Sequence, residues 1–355
     1  MRLLQQIFIL AAFLFSSISY ADLSLKLNKA EIVKAESMYQ RYCSLCHGKN
    51  REGYQADNAP SLRSESMLAT AYPQVLFESI AWGRLNSAMD GYLTLVGGPL
   101  SDDDILLLIR WLAQIENITP IEVSQDPIAG DALKGSKIYT DSCASCHGVE
   151  GKGGTAPALG DQLFLSVAED SYLKYAIVNG RNGTSMRSFD KELPDADINN
   201  IVAYLRSQAS GWSPSPVKLA AWPSPDQYIM NPDNTAPNFT LREGRYIKAA
   251  EVVEALENKK RLILLDTRPG SAWQRTHIPG AVPMPYYRDQ SRIADHLPND
   301  GTWIVAYCAC PHAASDSVIN HLRALGYKNT GVIDEGFIRW IEMGLPITAG
   351  TDIAK

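Results

Sequence analysis

Hydrophobic positions follow different periods in the two halves of the chain. In the first half, Ile105, Leu108, Ile109 and Leu112 recur at the three- and four-residue spacing of one helix face. Ile198, Ile201, Val202 and Leu205 repeat that spacing further on. The pattern predicts amphipathic helices over 105–116 and 198–208. Ser101 and three aspartates precede the first; Asp195 and Asp197 lead into the second. Acidic groups there accept from unpaired amides and oppose the helix dipole. In the second half the apolar runs are short. Residues 262–265 and 303–307 are bounded by polar segments, as buried parallel strands are, while 251–258 and 313–325 read as helices. Strands alternating with helices predict a parallel sheet covered on both faces.

Two stretches fall outside these patterns. Six prolines (Pro214, Pro216, Pro223, Pro225, Pro232, Pro237) stand among Ser, Asn, Asp and Trp, so 211–244 reads as an extended, semi-rigid linker. Trp212 and Trp222 suggest that it packs on a neighbouring domain. At the start, Arg2, an apolar run from Ile7 to Phe15 and Ser19-Tyr20-Ala21 have the form of a secretory signal peptide cleaved after Ala21. The alternative is an uncleaved anchor, for which the run is short. The expected organisation is a signal peptide over 1–21, helical domains over 22–120 and 121–210, the linker, and an α/β domain over 245–350. After cleavage the chain is expected to be exported to the periplasm and not to span the membrane.

The two helical domains are an internal repeat. Cys43-Ser-Leu-Cys46-His47-Gly48 returns as Cys143-Ala-Ser-Cys146-His147-Gly148. Tyr39 and Tyr139 stand before the two motifs. Ala59-Pro60-Ser61-Leu62 and Ala156-Pro157-Ala158-Leu159 follow them. Gly83-Arg84 and Met89 then match Gly180-Arg181 and Met186.

Composition narrows the class. At 355 residues, 45% hydrophobic and 20% charged, the chain has core material for two or three domains and is not a disordered one. A net charge of -6 without a basic stripe argues against nucleic acid as a partner. All six cysteines fall in three close pairs, which argues against a disulfide scaffold.

Cys-x-x-Cys-His is the attachment pattern of c-type haem. Two thiols one helical turn apart reach the two vinyl groups of one macrocycle, and the following His lies under the iron. The other readings are a redox dithiol and half a zinc site; the dithiol does not need the His, and the zinc pair needs a second pair nearby. Two covalently attached haem c groups are expected, on Cys43 and Cys46 and on Cys143 and Cys146, with His47 and His147 as iron ligands. The first half has no further histidines, so Met89 and Met186, at matching places, are the expected sixth ligands; the bland alternative is core filling. His/Met ligation suits electron transfer rather than chemistry at iron.

Residues 30–208 resemble two class I cytochrome c domains: a helix, Cys-x-x-Cys-His, a proline loop, a methionine loop and a closing helix. That resemblance implies that the carbonyls of Pro60 and Pro157 accept from the rings of His47 and His147. It also implies a close helix crossing at Gly135, where the first unit has Ala35.

Residues 245–347 resemble a rhodanese domain. The likeness rests on Leu265-Asp266-Thr-Arg268, on His277-Ile-Pro-Gly-Ala281, and on Asp334-Glu-Gly336-Phe337 with Trp340 and Gly344-Leu-Pro346. The whole is then multidomain: two all-α cytochrome c domains followed by an α/β rhodanese-like domain with a parallel sheet. In that family the catalytic cysteine follows a central strand and opens a loop to a helix N-terminus, the position of Cys308. Amides there would favour a thiolate or persulfide. The loop departs from the family pattern: Cys308-Ala-Cys310-Pro311-His312-Ala313-Ala314 has no Gly and no Arg, and Pro311 removes an amide donor. Efficient thiosulfate:cyanide sulfurtransfer is therefore not expected. Cys310 could attack a sulfur species carried on Cys308, and His312 could supply a proton. A buried, inert Cys308 is one other reading, and a zinc or copper site formed by Cys308, Cys310 and His312 is another.

Two functions stay open on sequence alone. One is a sulfur-compound oxidoreductase or sulfurtransferase whose Cys308 chemistry is coupled to the haems. The other is a pure electron carrier with a non-catalytic binding or scaffolding module. Both need periplasmic redox donor and acceptor proteins, and the first also needs small sulfur species.

Overall fold

The computed structural model of the chain describes residues 26–54, 58–71, 73–84, 87–212, 218–309 and 312–350. The expected signal peptide, Cys310 and Pro311 lie outside the described residues. Among those residues, no helix is long and apolar enough to cross a membrane. A helical region is followed by an α/β domain with a parallel sheet.

The first helical unit opens with α1 (Lys29–Tyr42), whose Asn28 cap and Glu31 close a reciprocal capping box. Then come α2 (Ser44–His47), α3 (Glu65–Thr70), α4 (Gln74–Trp82) and α5 (Asp102–Ile115). The second unit runs through α6 (Ala132–Ser142), α7 (Ala144–His147), α8 (Gln162–Val167), α9 (Asp170–Asn179) and α10 (Asp195–Ser207). First and last long helices cross in each unit: α1 on α5, and α6 on α10. At the second crossing a methyl on Gly135 would come within 1.9 Å of the Asn200 carbonyl oxygen, so only glycine fits. Ala35 is fully buried at the first crossing, which leaves room for its methyl. One continuous apolar core runs through both units.

Each unit sends one arginine into the other. Arg84 reaches across to donate to the Ala158 carbonyl (2.8 Å) and lies over Phe164. Arg181 reaches back to donate to the Ser66 carbonyl (2.7 Å) and lies over Tyr172. Each arginine thus donates to a carbonyl of the other unit, but the acceptors are not equivalent positions of the repeat, and the rings beneath both arginines belong to the second unit.

The α/β domain consists of β1 (Tyr246–Ile247), α11 (Ala249–Glu257), β2 (Leu262–Asp266), α12 (Gly270–Arg275), β3 (Val282–Pro283), β4 (Trp303–Tyr307), α13 (Ala313–Ala324), β5 (Thr330–Ile333) and α14 (Gly336–Glu342). The strands are all parallel, in the order β1-β5-β4-β2-β3. Alternate strand residues feed two cores. Ile263, Leu265 and Ile304 meet Val318 and Leu322 of α13 on one face; Leu262, Leu264 and Val305 meet Val252, Phe337 and Trp340 on the other. Part of the proline-rich stretch is wound into this domain: Tyr228 and Phe239 are core residues, and Met230 pairs with Leu262. Trp212 packs edge-on against Trp82 of the first unit, while Trp222 lies under Arg288 of the α/β domain.

Candidate functional site

Each Cys-x-x-Cys-His motif is one tight turn set on the end of a long helix. The amide of Cys43 donates to Tyr39, and that of His47 to Cys43 (2.9 and 3.0 Å). Cys143 and His147 make the same two bonds at 2.8 and 3.0 Å. The tyrosine hydroxyls of Tyr39 and Tyr139 donate to the carbonyls of Gly48 and Gly148, 2.6 and 3.0 Å away, and fasten the residue after each histidine. The turn carries both cysteines of each motif and its histidine within five residues.

The histidine rings have matching partners. Nδ1 of His47 lies 2.8 Å from the Pro60 carbonyl, and Nδ1 of His147 lies 2.9 Å from that of Pro157. A carbonyl only accepts, so Nδ1 carries the proton and Nε2 is the basic nitrogen, the arrangement of a ligating imidazole. Burial holds both rings below the ordinary histidine range, against the opposing pull of the proline carbonyls; Arg84 lowers His147 further. Both are therefore neutral near pH 7. Burial also pushes the Cys43 thiol up to about 12 and, with Cys146, the Cys143 thiol to about 11. A redox dithiol needs the opposite shift. Among the described residues, no three His, Cys, Asp or Glu side chains gather into a self-sufficient metal cage.

The methionine loops also repeat. Met89 accepts at its carbonyl from the Arg84 amide (2.7 Å), and Met186 from that of Arg181 (2.8 Å). Their own amides donate to Ser87 and Thr184. The loops begin at Gly83 and Gly180, both at positive φ, where a methyl would strike the Met89 or Met186 carbonyl at 2.5 or 2.6 Å. Both methionine side chains are half-buried.

Cys308 directly follows β4 at the carboxyl edge of the sheet and is 2% exposed. Its sulfur is 3.4 Å from the Ser315 hydroxyl, and its carbonyl accepts from Phe337 (2.8 Å). Beneath it, Tyr307 donates to Asp266 (2.8 Å), which also holds Arg268. The ring of His312 is turned elsewhere: it stacks on Tyr246 at 4.0 Å, and Nε2 is 3.2 Å from the Asp334 carboxylate. Only its carbonyl, which accepts from Ser315, joins the surroundings of Cys308. The helix after Cys308, α13, lies against α2, the turn carrying Cys46 and His47.

Sequence reasoning missed Ser315 and the crossing of Arg84 to the His147 side. The paired Gly-Arg motif was the available signal for the second. Nothing in one sequence announces Ser315 except its place one helical turn into α13.

Residues 130–205 match the family model described as cytochrome C oxidase, cbb3-type, subunit III, and residues 248–343 match the rhodanese-like domain. The chain is similar to the Cbb3-type cytochrome c oxidase subunit FixP of Bradyrhizobium diazoefficiens, 25% identical over 186 residues that cover 50% of this chain and 61% of that protein. It is similar to subunit CcoP of Azospirillum sp. (strain B510), 27% identical, covering 49% and 61%. It is also similar to the dihydro-heme d1 dehydrogenase of Pseudomonas aeruginosa, 27% identical over 225 residues, covering 61% and 41%. The chain thus spans less than two thirds of the length of these curated relatives. A cytochrome c domain implies covalently bound haem c. Paired thiols beside a neutral imidazole with a basic Nε2 fit that group.

Proposed function

We propose that this chain, a c-type cytochrome joined to a rhodanese-like domain, is a periplasmic carrier of two haems whose electron transfer is coupled to a small sulfur species at Cys308. Cys43 and Cys46 would hold one haem and Cys143 and Cys146 the other, with His47, Met89, His147 and Met186 as the residues that would ligate the irons. Bound haem supplies reversible one-electron transfer at each iron. The chain's own part is to orient each imidazole through Pro60 or Pro157 and to fold each methionine loop back through Arg84 or Arg181. The observation that carries this reading is the duplicate geometry: the same histidine–proline bond and the same methionine turn in both units.

Two features support the coupling. Cys308 stands between a strand end and a helix start, and that helix packs on the turn of the first haem motif. The ring of His312 is bound to Asp334 rather than to the sulfur; Ser315, whose hydroxyl donates to the His312 carbonyl, accepts from the Cys308 thiol. Cys310 keeps the role of a second thiol two residues from Cys308. The burial of Cys308 favours the second reading, a carrier whose rhodanese-like domain is a non-catalytic module.

One preparation tests both. The exported protein should carry two haems per chain by the pyridine haemochrome assay, and a Cys143→Ala, Cys146→Ala variant should carry one. Polysulfide should reduce the oxidised protein, and Cys308→Ala should slow this by at least tenfold. Equal rates in both proteins would leave the carrier and remove the sulfur chemistry.

A further inference from the structure

The two methionine loops share one backbone but not one environment. After Met89 come Asp90, Gly91 and Tyr92; after Met186, at the same places, come Arg187, Ser188 and Phe189. The anchoring amide bond is common to both: Tyr92 donates to Ile80 (2.9 Å), and Phe189 to Ile177 (3.0 Å). The side chains then part company.

In the first unit all three residues bond to the rhodanese-like domain. Asp90, whose side chain is 7% exposed, pairs with Arg275 at 2.7 Å. The Gly91 carbonyl accepts from the Ser271 hydroxyl. The hydroxyls of Tyr92 and Tyr286 are 3.0 Å apart, and Tyr286 donates onward to the carbonyl of Tyr42, next to Cys43. Tyr92 is therefore the donor to Tyr286. The Tyr287 ring stands edge-on to Tyr42 at 5.2 Å, and the Tyr287 carbonyl accepts from Arg41 (2.9 Å). In the second unit the bonds stay at home. Arg187 pairs with Glu192, and Ser188 donates to Val178 (2.6 Å) and to Asp190.

Methionine is an uncharged, flexible ligand, and a loop that bears one is drawn from the less stable parts of a fold. Its sulfur stays on an iron only where the surrounding chain holds it there. We propose that the rhodanese-like domain is a clamp on the sixth-ligand loop of the first haem. Arg275, Ser271 and Tyr286 are positioning residues that keep Met89 in place through Asp90, Gly91 and Tyr92. The second haem has no such dependence on the rhodanese-like domain: residues 187–189 bond within their own unit, and Gly180, Arg181 and Asn182 bond to Ser64 and Ser66 of the first unit. The first haem's ligation and potential therefore depend on the docked state of a domain outside the cytochrome fold. The proposal rests on the reading of Met89 and Met186 as sixth ligands.

The test uses the full-length, haem-loaded protein. Its readouts are the far-red sulfur-to-iron absorption band of the ferric form and the two reduction potentials. Met89→His and Met186→His should each remove half of the band and assign one potential to each site. Arg275→Ala with Tyr286→Phe should remove the Met89 half and lower that potential, leaving the other unmoved. In the Met186→His background the same pair should abolish the remaining band, and in the Met89→His background it should leave the band whole. If Met89→His halves the band but the clamp variants do not, the clamp is overturned alone. If Met89→His leaves the band whole, the ligand assignment falls and the clamp with it.

Discussion

Arg268 is 6% exposed and bonds both oxygens of Asp266, which is fully buried and also accepts from Tyr307. Two strands and the segment leading to α12 meet at this one carboxylate. Removing one partner of such a pair strands the other charge away from water. Arg268→Ala should therefore destabilise the protein by about 3–5 kcal/mol, read as a lower urea midpoint for loss of the rhodanese-like domain's tryptophan signal. An unchanged midpoint would mean that Asp266 finds water or a proton. At this scale the sequence was most legible where chemistry demands a residue type. The Cys-x-x-Cys-His runs and the repeated Gly-Arg and Met could be read directly, because spacing alone limits what they can do. The ring of His312 could not be placed: its neighbours Tyr246 and Asp334 come from β1 and from the end of β5, far away along the chain.

The helices show what periodicity gives and what it omits. The apolar face of α5 begins at Ile105, but the helix begins at Asp102, because Ser101 and Asp104 cap it and the aspartates make its first turn. Likewise α10 begins at Asp195 rather than at the first apolar position. The strands were legible as continuous apolar runs because both faces are covered. The proline-rich stretch was not legible as a partner of β2, since Tyr228-Ile229-Met230 is an apolar run of only three residues and Phe239 stands alone, too short to show a period. The two helix crossings differ by one methyl group. Gly135→Ala should cost about 1–3 kcal/mol through overpacking against the Asn200 carbonyl, seen as a lower thermal midpoint of the haem-loaded protein. A neutral result would mean that α6 and α10 can part to the spacing of α1 and α5.

Over the whole molecule, the order of parts along the chain was readable, but their mutual arrangement was not. Arginines from each unit bind the two cytochrome units together, and among the described residues the hydrogen bonds and ion pairs from the rhodanese-like domain fall on the first of them. A repeat in sequence predicts two similar units; it does not say which one a third domain will choose. That choice is made by Asp90, Gly91 and Tyr92, three residues that differ from their counterparts in the second unit. On the proposed reading of two haems, it gives their sites unequal surroundings. Arg84, bonded to the Ala158 carbonyl next to Pro157, adds a second inequality: a cation on the His147 side, which with haem bound there would favour the reduced state.

An optical redox titration of the exported, full-length protein tests the account most directly. Two one-electron steps of unequal potential are predicted, each with the low-spin spectrum of His/Met-ligated haem c. A single one-electron step, or a high-spin spectrum at either site, would contradict it.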